Sequence, residues 1–290
     1  MYLYQPVKAS ELIHSWLAAR LSPEALTWLG DKATLLSSGA PEKSVFPAYS
    51  AALRHSGKNS LNLDAAALQL AASVVEGWNP GDWTADQAAR IFLLLALPPS
   101  EASAVLMARL YQTADVGEAV ALQKALPLLP NPTAHMAWAR DGIRSNIQLV
   151  FEAVSLRNPY PARHFDDVGW NQMVTKTFFM ESPLDQVWGL ERRINAPLGQ
   201  ILTDLAHERW AAGRSFSPLL WRCVGPVAEP RALKDLEKVL AQGSAAEKRA
   251  AALALASCPD PEAARLLASA PELAASIRTG SLTWENLHAR

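Results

Sequence analysis

Cysteine is nearly absent: 290 residues carry only Cys223 and Cys258. Two cysteines cannot build a disulfide framework, so both read as free thiols of a reducing compartment. Charge of either sign is not in excess, since 27 Lys and Arg against 28 Asp and Glu leave a formal net of −1. Without a basic excess or stripe there is no electrostatic footprint for nucleic acid. Neither end is an acidic or basic tail. Long apolar runs are missing too. The greasiest, Ile91 to Leu97, stops at Pro98-Pro99, well short of the ~20 residues a bilayer span needs. The opening Met-Tyr-Leu-Tyr-Gln-Pro has no basic stretch leading into an apolar one, so no secretory signal is expected. A soluble, cytoplasmic protein without membrane insertion is the expectation.

Catalytic signatures are equally scarce. His207-Glu208 lacks a second histidine, because position 211 is Ala, so the zincin spacing fails. There is no Gly-x-Ser-x-Gly elbow and no phosphate-binding glycine loop. No metal or other cofactor is expected.

What is present is helix. Half the residues are apolar, enough for a sizeable core, and alternating β-branched stretches are rare. Leu12, Trp16 and Ala19 repeat at helical spacing. Ser22-Pro23 supplies a cap and a first-turn proline for a second helix. Pro41 opens a third that ends near Gly57, and Asp64 caps a fourth closed at Gly77. After the turn Trp78-Asn79-Pro80-Gly81-Asp82-Trp83, Thr84 to Gln87 is a capping-box match. Ser100 and Asp115 start two more helices, and Pro132 to Ser155 reads as one long helix interrupted around Asp141-Gly142. About fourteen helices are expected in all. Short-linked pairs of this kind predict an all-α fold, an irregular α-solenoid or helical-repeat stack of antiparallel helix pairs. A compact orthogonal bundle is the competing shape. The alanine-rich stretch 229–290 reads as a short HEAT-like cap, packed on an all-helical core over 1–228; a partner-binding face is its alternative.

Residues 158 to 225 differ in composition. Four of the ten tryptophans lie here, Trp170, Trp188, Trp210 and Trp221, with two of the six histidines. Large aromatics beside arginines and carboxylates pack, stack or bind, and a Leu/Ala core does not require them. The strings Asn158-Pro-Tyr-Pro-Ala, Trp170-Asn171-Gln172-Met173-Val174, Glu191-Arg192-Arg193, Ala206-His207-Glu208-Arg209-Trp210 and Ser217-Pro218…Trp221-Arg222…Gly225-Pro226 together resemble the EboA family. The motifs cover about a quarter of the chain. The resemblance implies a role in small-molecule metabolism and the movement of precursors. It also implies gene-cluster neighbours: a prenyltransferase-like membrane protein, a metal-dependent hydrolase-like protein, a dehydroquinate-synthase-like cyclase and a phosphodiesterase-like protein. It carries over no reaction and no catalytic residue.

The segment's candidate binding residues are His164, Asp166, Trp170, Asn171, Glu191, Arg192, Arg193, Asp204, His207, Glu208, Arg209, Trp210, Arg214, Trp221 and Arg222. Converging guanidinium groups from Arg192, Arg193, Arg209, Arg214 and Arg222 would match phosphate or carboxylate oxygens; an ion-pair lattice that orders the helices is the structural alternative. Asp166, Asp167 and His207 would make a mixed metal site only if the fold joined them. Asp166-Asp167 is similar to the aspartate-rich motif of helical isoprenoid synthases, but the fifth position is Trp170, and a helix cap is the better reading. Asp204 and Glu208, four apart, repel unless a cation from Arg192, Arg193 or His207 lies between them. Asn171 and Gln172 would read a metabolite's hydroxyls or, structurally, bond the backbone from Tyr160 to Phe165. Arg222 would lower the pKa of Cys223, though a packed thiol is the commoner outcome.

Three functions follow. The preferred one is a non-catalytic accessory protein of a secondary-metabolite or precursor-trafficking pathway. It would bind a metabolite or partner enzyme through 158–225, with docking to the prenyltransferase-like membrane partner included. The second is an enzyme on a phosphorylated or cyclitol-like substrate, with Glu208, Asp204 or Asp166 as acid/base and an arginine clamp. The third is a pure helical-repeat scaffold.

Overall fold

The computed structural model describes residues 6–287, with side chains from residue 9 onward. Residues 1–5, on which the secretory-signal expectation rests, lie outside the described residues. Among the described residues there are seventeen α-helices, short 3-10 turns and no sheet, so the fold is all-α. They divide into two compact units, 6–166 with 186–188, and 167–185 with 189–287. The expected boundary at 228/229 falls inside the second unit.

The first unit holds α1 (Pro6–Ala18), α2 (Pro23–Ser37), α3 (Glu42–Ser56), α4 (Ala65–Val74), α5 (Ala85–Leu95), α6 (Glu101–Thr113), α7 (Val116–Ala125), α8 (Met136–Arg144), α9 (Gln148–Ser155) and α10 (Tyr160–His164). The caps are those the residues predict. Ser22 accepts from the Ala25 N–H, Asp64 from Ala67, Ser100 from Ser103 and Asp115 from Glu118. At Thr84 the Gln87 side chain accepts from the backbone N–H at 3.3 Å. The apolar run that is too short for a bilayer is the centre of this unit. Helix α5 packs against α1, α2, α3 and α7 and buries Ala88, Ala89, Ile91, Leu93 and Leu94. A helix covered on every side needs apolar residues all round. Its exceptions are Asp86 and Arg90, buried and paired with each other. The Arg90 guanidinium also lies 5.6 Å from the Tyr49 ring, whose hydroxyl donates to the Glu118 carbonyl at 2.8 Å.

Two expectations change here. The helix count is seventeen, not about fourteen. Pro132 to Ser155 is a 3-10 turn followed by α8 and α9, and the break falls at 145–147 rather than at Asp141-Gly142. Gly142 stays helical because its missing Cβ leaves room for the Gln123 side chain, whose Nε2 donates to the Trp138 carbonyl.

The second unit holds α11 (Asp167–Phe179), α12 (Ala196–Ala211), α13 (Leu220–Val224), α14 (Pro230–Gln242), α15 (Ala245–Ser257), α16 (Pro261–Ala268) and α17 (Pro271–Arg278). Alanine has a packing purpose here. Helix α15 is flanked by α13, α14, α16 and α17, and Ala250, Ala251, Ala252 and Ala254 are buried. Small side chains let the turn at Gly225 approach so closely that an added Cβ would lie 2.7 Å from Ala254 Cα and 2.6 Å from Ser257 Oγ. Among the described residues no helix is long and apolar enough to cross a membrane.

Candidate functional site

Helices α11 and α12 carry seven of the fifteen candidate residues, and their C-terminal ends are shaped by left-handed backbone. Helix α12 starts at Asn195, whose side chain accepts from the Leu198 N–H at 3.0 Å, and Pro197 fits its first turn. The Asn195 amide also exchanges two hydrogen bonds with Asn171 of α11, at 3.0 and 2.9 Å. Leu198, Leu202 and Leu205 form the buried stripe that their spacing predicts. At the other end, Gly213 has φ +62. The Arg214 N–H bonds to the Arg209 carbonyl at 2.9 Å, and the Gly213 N–H to the Trp210 carbonyl at 3.0 Å. Helix α11 closes in a related way. Glu181 takes φ 54, and the Ser182 N–H reaches the Thr177 carbonyl at 3.0 Å. Both closures satisfy orphan carbonyls and turn the chain sharply outward.

The two turns, 181–185 and 213–219, rim a cleft of about 500 Å³ whose lining includes Thr177, Phe178, Phe179, Leu205, Arg209, Phe216 and Leu219. That volume lies within the range usual for small-molecule sites, roughly 300–1,000 Å³. Arg209 is half-buried. Among the described residues its guanidinium has no carboxylate, carbonyl or ring partner, although Glu181 and Asp185 line the same cleft. Both carboxylates are exposed and, among the described residues, have no ion-pair partner. A partnerless, partly desolvated guanidinium beside aromatic walls is equipped to hold an anionic group on an apolar molecule.

The other arginines do not converge on this point. Arg193 pairs with Asp167 at 2.7 Å and stacks over buried Trp170, 5.1 Å from the ring. Arg222 donates through Nε to Glu191 at 2.8 Å and comes within 3.7 Å of Glu285. Arg192 and Arg214 are exposed. The set is therefore split into separate pairings, and the ion-pair reading describes Arg193 and Arg222.

The Asp204–Glu208 repulsion is relieved by a cation the sequence does not suggest. Asp204 pairs with Arg231 of α14 at 2.7 Å, not with Arg192, Arg193 or His207; Glu208 points to solvent. His207 bonds Asp235 at 2.7 Å and lies 5.5 Å from the Trp210 ring. The Asp204–Arg231 pair borders a second, smaller cleft of about 260 Å³ over Gly199 and Thr203. Trp210 also meets Phe216, buried Trp221 and the Lys238 ammonium, 4.8 Å from its ring. Two tryptophans of the segment are thus core, and Trp210 links that core to the cleft wall through Phe216.

His164 and Asp166 belong to the first unit. The His164 ring lies 4.7 Å from that of Tyr160, and burial, then the neighbouring Arg163 charge, hold its pKa below the usual histidine value. Asp166 pairs with Arg140 at 2.8 Å. Asp166, Asp167 and His207 thus each hold a different partner, and among the described residues no group of three His, Cys, Asp or Glu could hold a metal ion. Asn171 bonds Asn195, Gln172 is exposed, and most of the stretch from Tyr160 to Phe165 is itself the short helix α10. Cys223 is not activated by Arg222, because complete burial pushes its thiol up to about 12.

Sequence reasoning missed Phe178, Phe179, Glu181, Asp185, Phe216 and Leu219 as wall residues. The usable signal was Phe178-Phe179 at a helix end, where Phe179 stays 56% exposed; a large aromatic left in water beside a cavity is an anomaly.

Comparison with known proteins comes down to one finding. The model of the EboA family, described as metabolite traffic protein EboA, matches residues 9–225, three-quarters of the chain and the whole motif segment. The chain belongs to the EboA family. No curated protein and no solved structure gives a match.

Proposed function

We propose that this EboA-family chain is a non-catalytic accessory protein that binds a small metabolite in the cleft between the ends of α11 and α12. It would act in the cytoplasm, in a secondary-metabolite or precursor-trafficking pathway, and pass its cargo to other proteins of that pathway. The observation that carries this reading is the cleft itself. It lies inside the family-matched region, has aromatic walls, and contains an arginine without a partner among the described residues. The family description, metabolite traffic, supports the same assignment. The carboxylates considered as acid/base argue less for chemistry. Asp166 and Asp204 are each paired with an arginine and exposed, and Glu208 lies in solvent.

The test is retention of small molecules. The full chain is incubated with a metabolite extract of its source cells, separated by ultrafiltration, and the retained compounds are identified by mass spectrometry. The expected result is a compound held by the wild type and lost from Phe179→Asp, a substitution on a side chain exposed enough for folding to survive. Retention no greater than that of a heat-denatured control would overturn the proposal.

A further inference from the structure

We infer that the cleft takes an aromatic zwitterion of amino-acid type, a flat apolar body carrying one carboxylate and one amine. This rests on the reading of the cleft as a metabolite site and adds the class of ligand. Three features of the lining define that class. Phe178, Phe179 and Phe216 supply ring faces and edges, which favour a flat, polarisable body over a flexible alkyl chain. Arg209 supplies one half-buried cation with no partner among the described residues, and a guanidinium fork matches one carboxylate. Glu181 and Asp185 supply two unpaired anions at the exposed edge.

The balance of charge makes the choice. One cation against two anions gives the lining a net charge of −1, which disfavours diphosphates and other polyanions. It also favours a zwitterion over a plain aromatic acid, whose carboxylate would meet Arg209 but offer nothing to the two carboxylates at the rim. A ligand with an ammonium beside its carboxylate meets both signs. The backbone holds the two signs apart. Glu181 occupies the left-handed closing position of α11, and Arg209 sits in the last turn of α12, its carbonyl fixed by the Arg214 N–H at 2.9 Å. Neither carboxylate reaches the guanidinium to form an internal ion pair. The charges are therefore separated and open to a ligand that spans them.

Isothermal titration of the full chain tests this with four probes: L-phenylalanine, 3-phenylpropionate without the amine, phenethylamine without the carboxylate, and geranyl diphosphate. Phenylalanine is expected to bind about tenfold or more tightly than either single-charge analogue, one decade corresponding to ~1.4 kcal/mol. Arg209→Met should weaken phenylalanine by a similar factor while leaving phenethylamine unchanged. The double variant Glu181→Gln, Asp185→Asn should weaken phenylalanine and leave phenylpropionate unchanged. Glu181 and Asp185 are exposed and Arg209 is half-buried, and circular dichroism checks that each variant is folded. Equal affinity for phenylpropionate, tighter binding of geranyl diphosphate, or an Arg209→Met variant that binds like wild type overturns the inference. If an extract compound is retained and lost from Phe179→Asp while no aromatic zwitterion binds, this inference falls and the metabolite reading stands. If nothing is retained and nothing binds, both fall.

Discussion

Glycine positions separate two physical effects that are usually mixed, and three substitutions to alanine measure them. Gly39 has φ +79 and open space around it, so Gly39→Ala adds only the left-handed penalty, about 1–2 kcal/mol. Gly225 has ordinary helical φ, −49, but its added Cβ would lie within 2.7 Å of Ala254 Cα and Ser257 Oγ. Backbone cannot swing aside as a flexible side chain does, so Gly225→Ala is an overpacking change of about 1–3 kcal/mol in the second unit. Gly77 combines both: φ is +82, and the new Cβ would overlap the Trp188 indole, 2.7 Å from its Cδ1. Moving Trp188 also disturbs Arg163, which stacks 5.0 Å from that ring and donates to the Glu76 carbonyl at 2.7 Å. Gly77→Ala is therefore expected to destabilise the first unit by about 2–5 kcal/mol, the sum of the two separate effects. Urea denaturation followed by circular dichroism, with local probes in each unit, provides the comparison. If Gly77→Ala were no worse than Gly39→Ala, Trp188 would not be seated against Gly77, and the assignment of residues 186–188 to the first unit would be wrong.

Three further outcomes are expected. Asn195→Ala removes both a helix cap and the partner of the buried Asn171 amide; a loss of roughly 2–4 kcal/mol is expected in denaturation, and a change below ~0.5 kcal/mol would contradict the amide pairing. At neutral pH iodoacetamide should label Cys258, which is half-buried, and leave Cys223 unlabelled until the chain unfolds; mass spectrometry showing equal labelling would refute the packed-thiol assignment. His135 is buried, bonds the Pro130 carbonyl through Nε2, and has a pKa lowered mainly by burial, as has His164. Because the unfolded chain takes the protons first, their contribution is fully present above about pH 6.5 and is lost as pH falls from there through the lower folded values. The double variant His135→Gln, His164→Gln should show a shallower drop in stability between pH 7.5 and 5.5 than wild type, and an unchanged slope would contradict the sign.

The helices were legible because their signals are local. Ser22, Asp64, Ser100 and Asp115 each satisfy a donor within three residues, so spacing alone locates them. The 145–147 break escaped because Asp141-Gly142, a polar pair with a glycine, is tolerated inside α8 once Gln123 packs on the glycine. Site geometry was less legible because its contacts are distant in sequence. Arg231 reaches Asp204 from 27 residues away, and Asn195 reaches Asn171 from 24. The segment 158–225 was identified by composition, yet its tryptophans divide into buried Trp170 and Trp221 and half-buried Trp188 and Trp210, none of them lining the cleft, a division composition cannot make. The cleft depends on Glu181 taking a left-handed conformation that glycine would adopt more readily; nothing in the residue type announces it.

The central claim is that a small molecule occupies the cleft rimmed by 181–185 and 213–219. Hydrogen exchange with and without the compound retained from extract tests it directly. Both rims lie beyond the ends of α11 and α12, where the amides of Ser182, Gly213 and Arg214 close the helix termini, and amides at helix termini exchange through local opening that anything seated between the rims would slow. The account predicts slowed exchange at the amides of 181–185 and 213–219 on binding, lost in Arg209→Met or Phe179→Asp. Protection confined instead to the Gly199–Thr203 groove beside Arg231, or to the first unit, would contradict it.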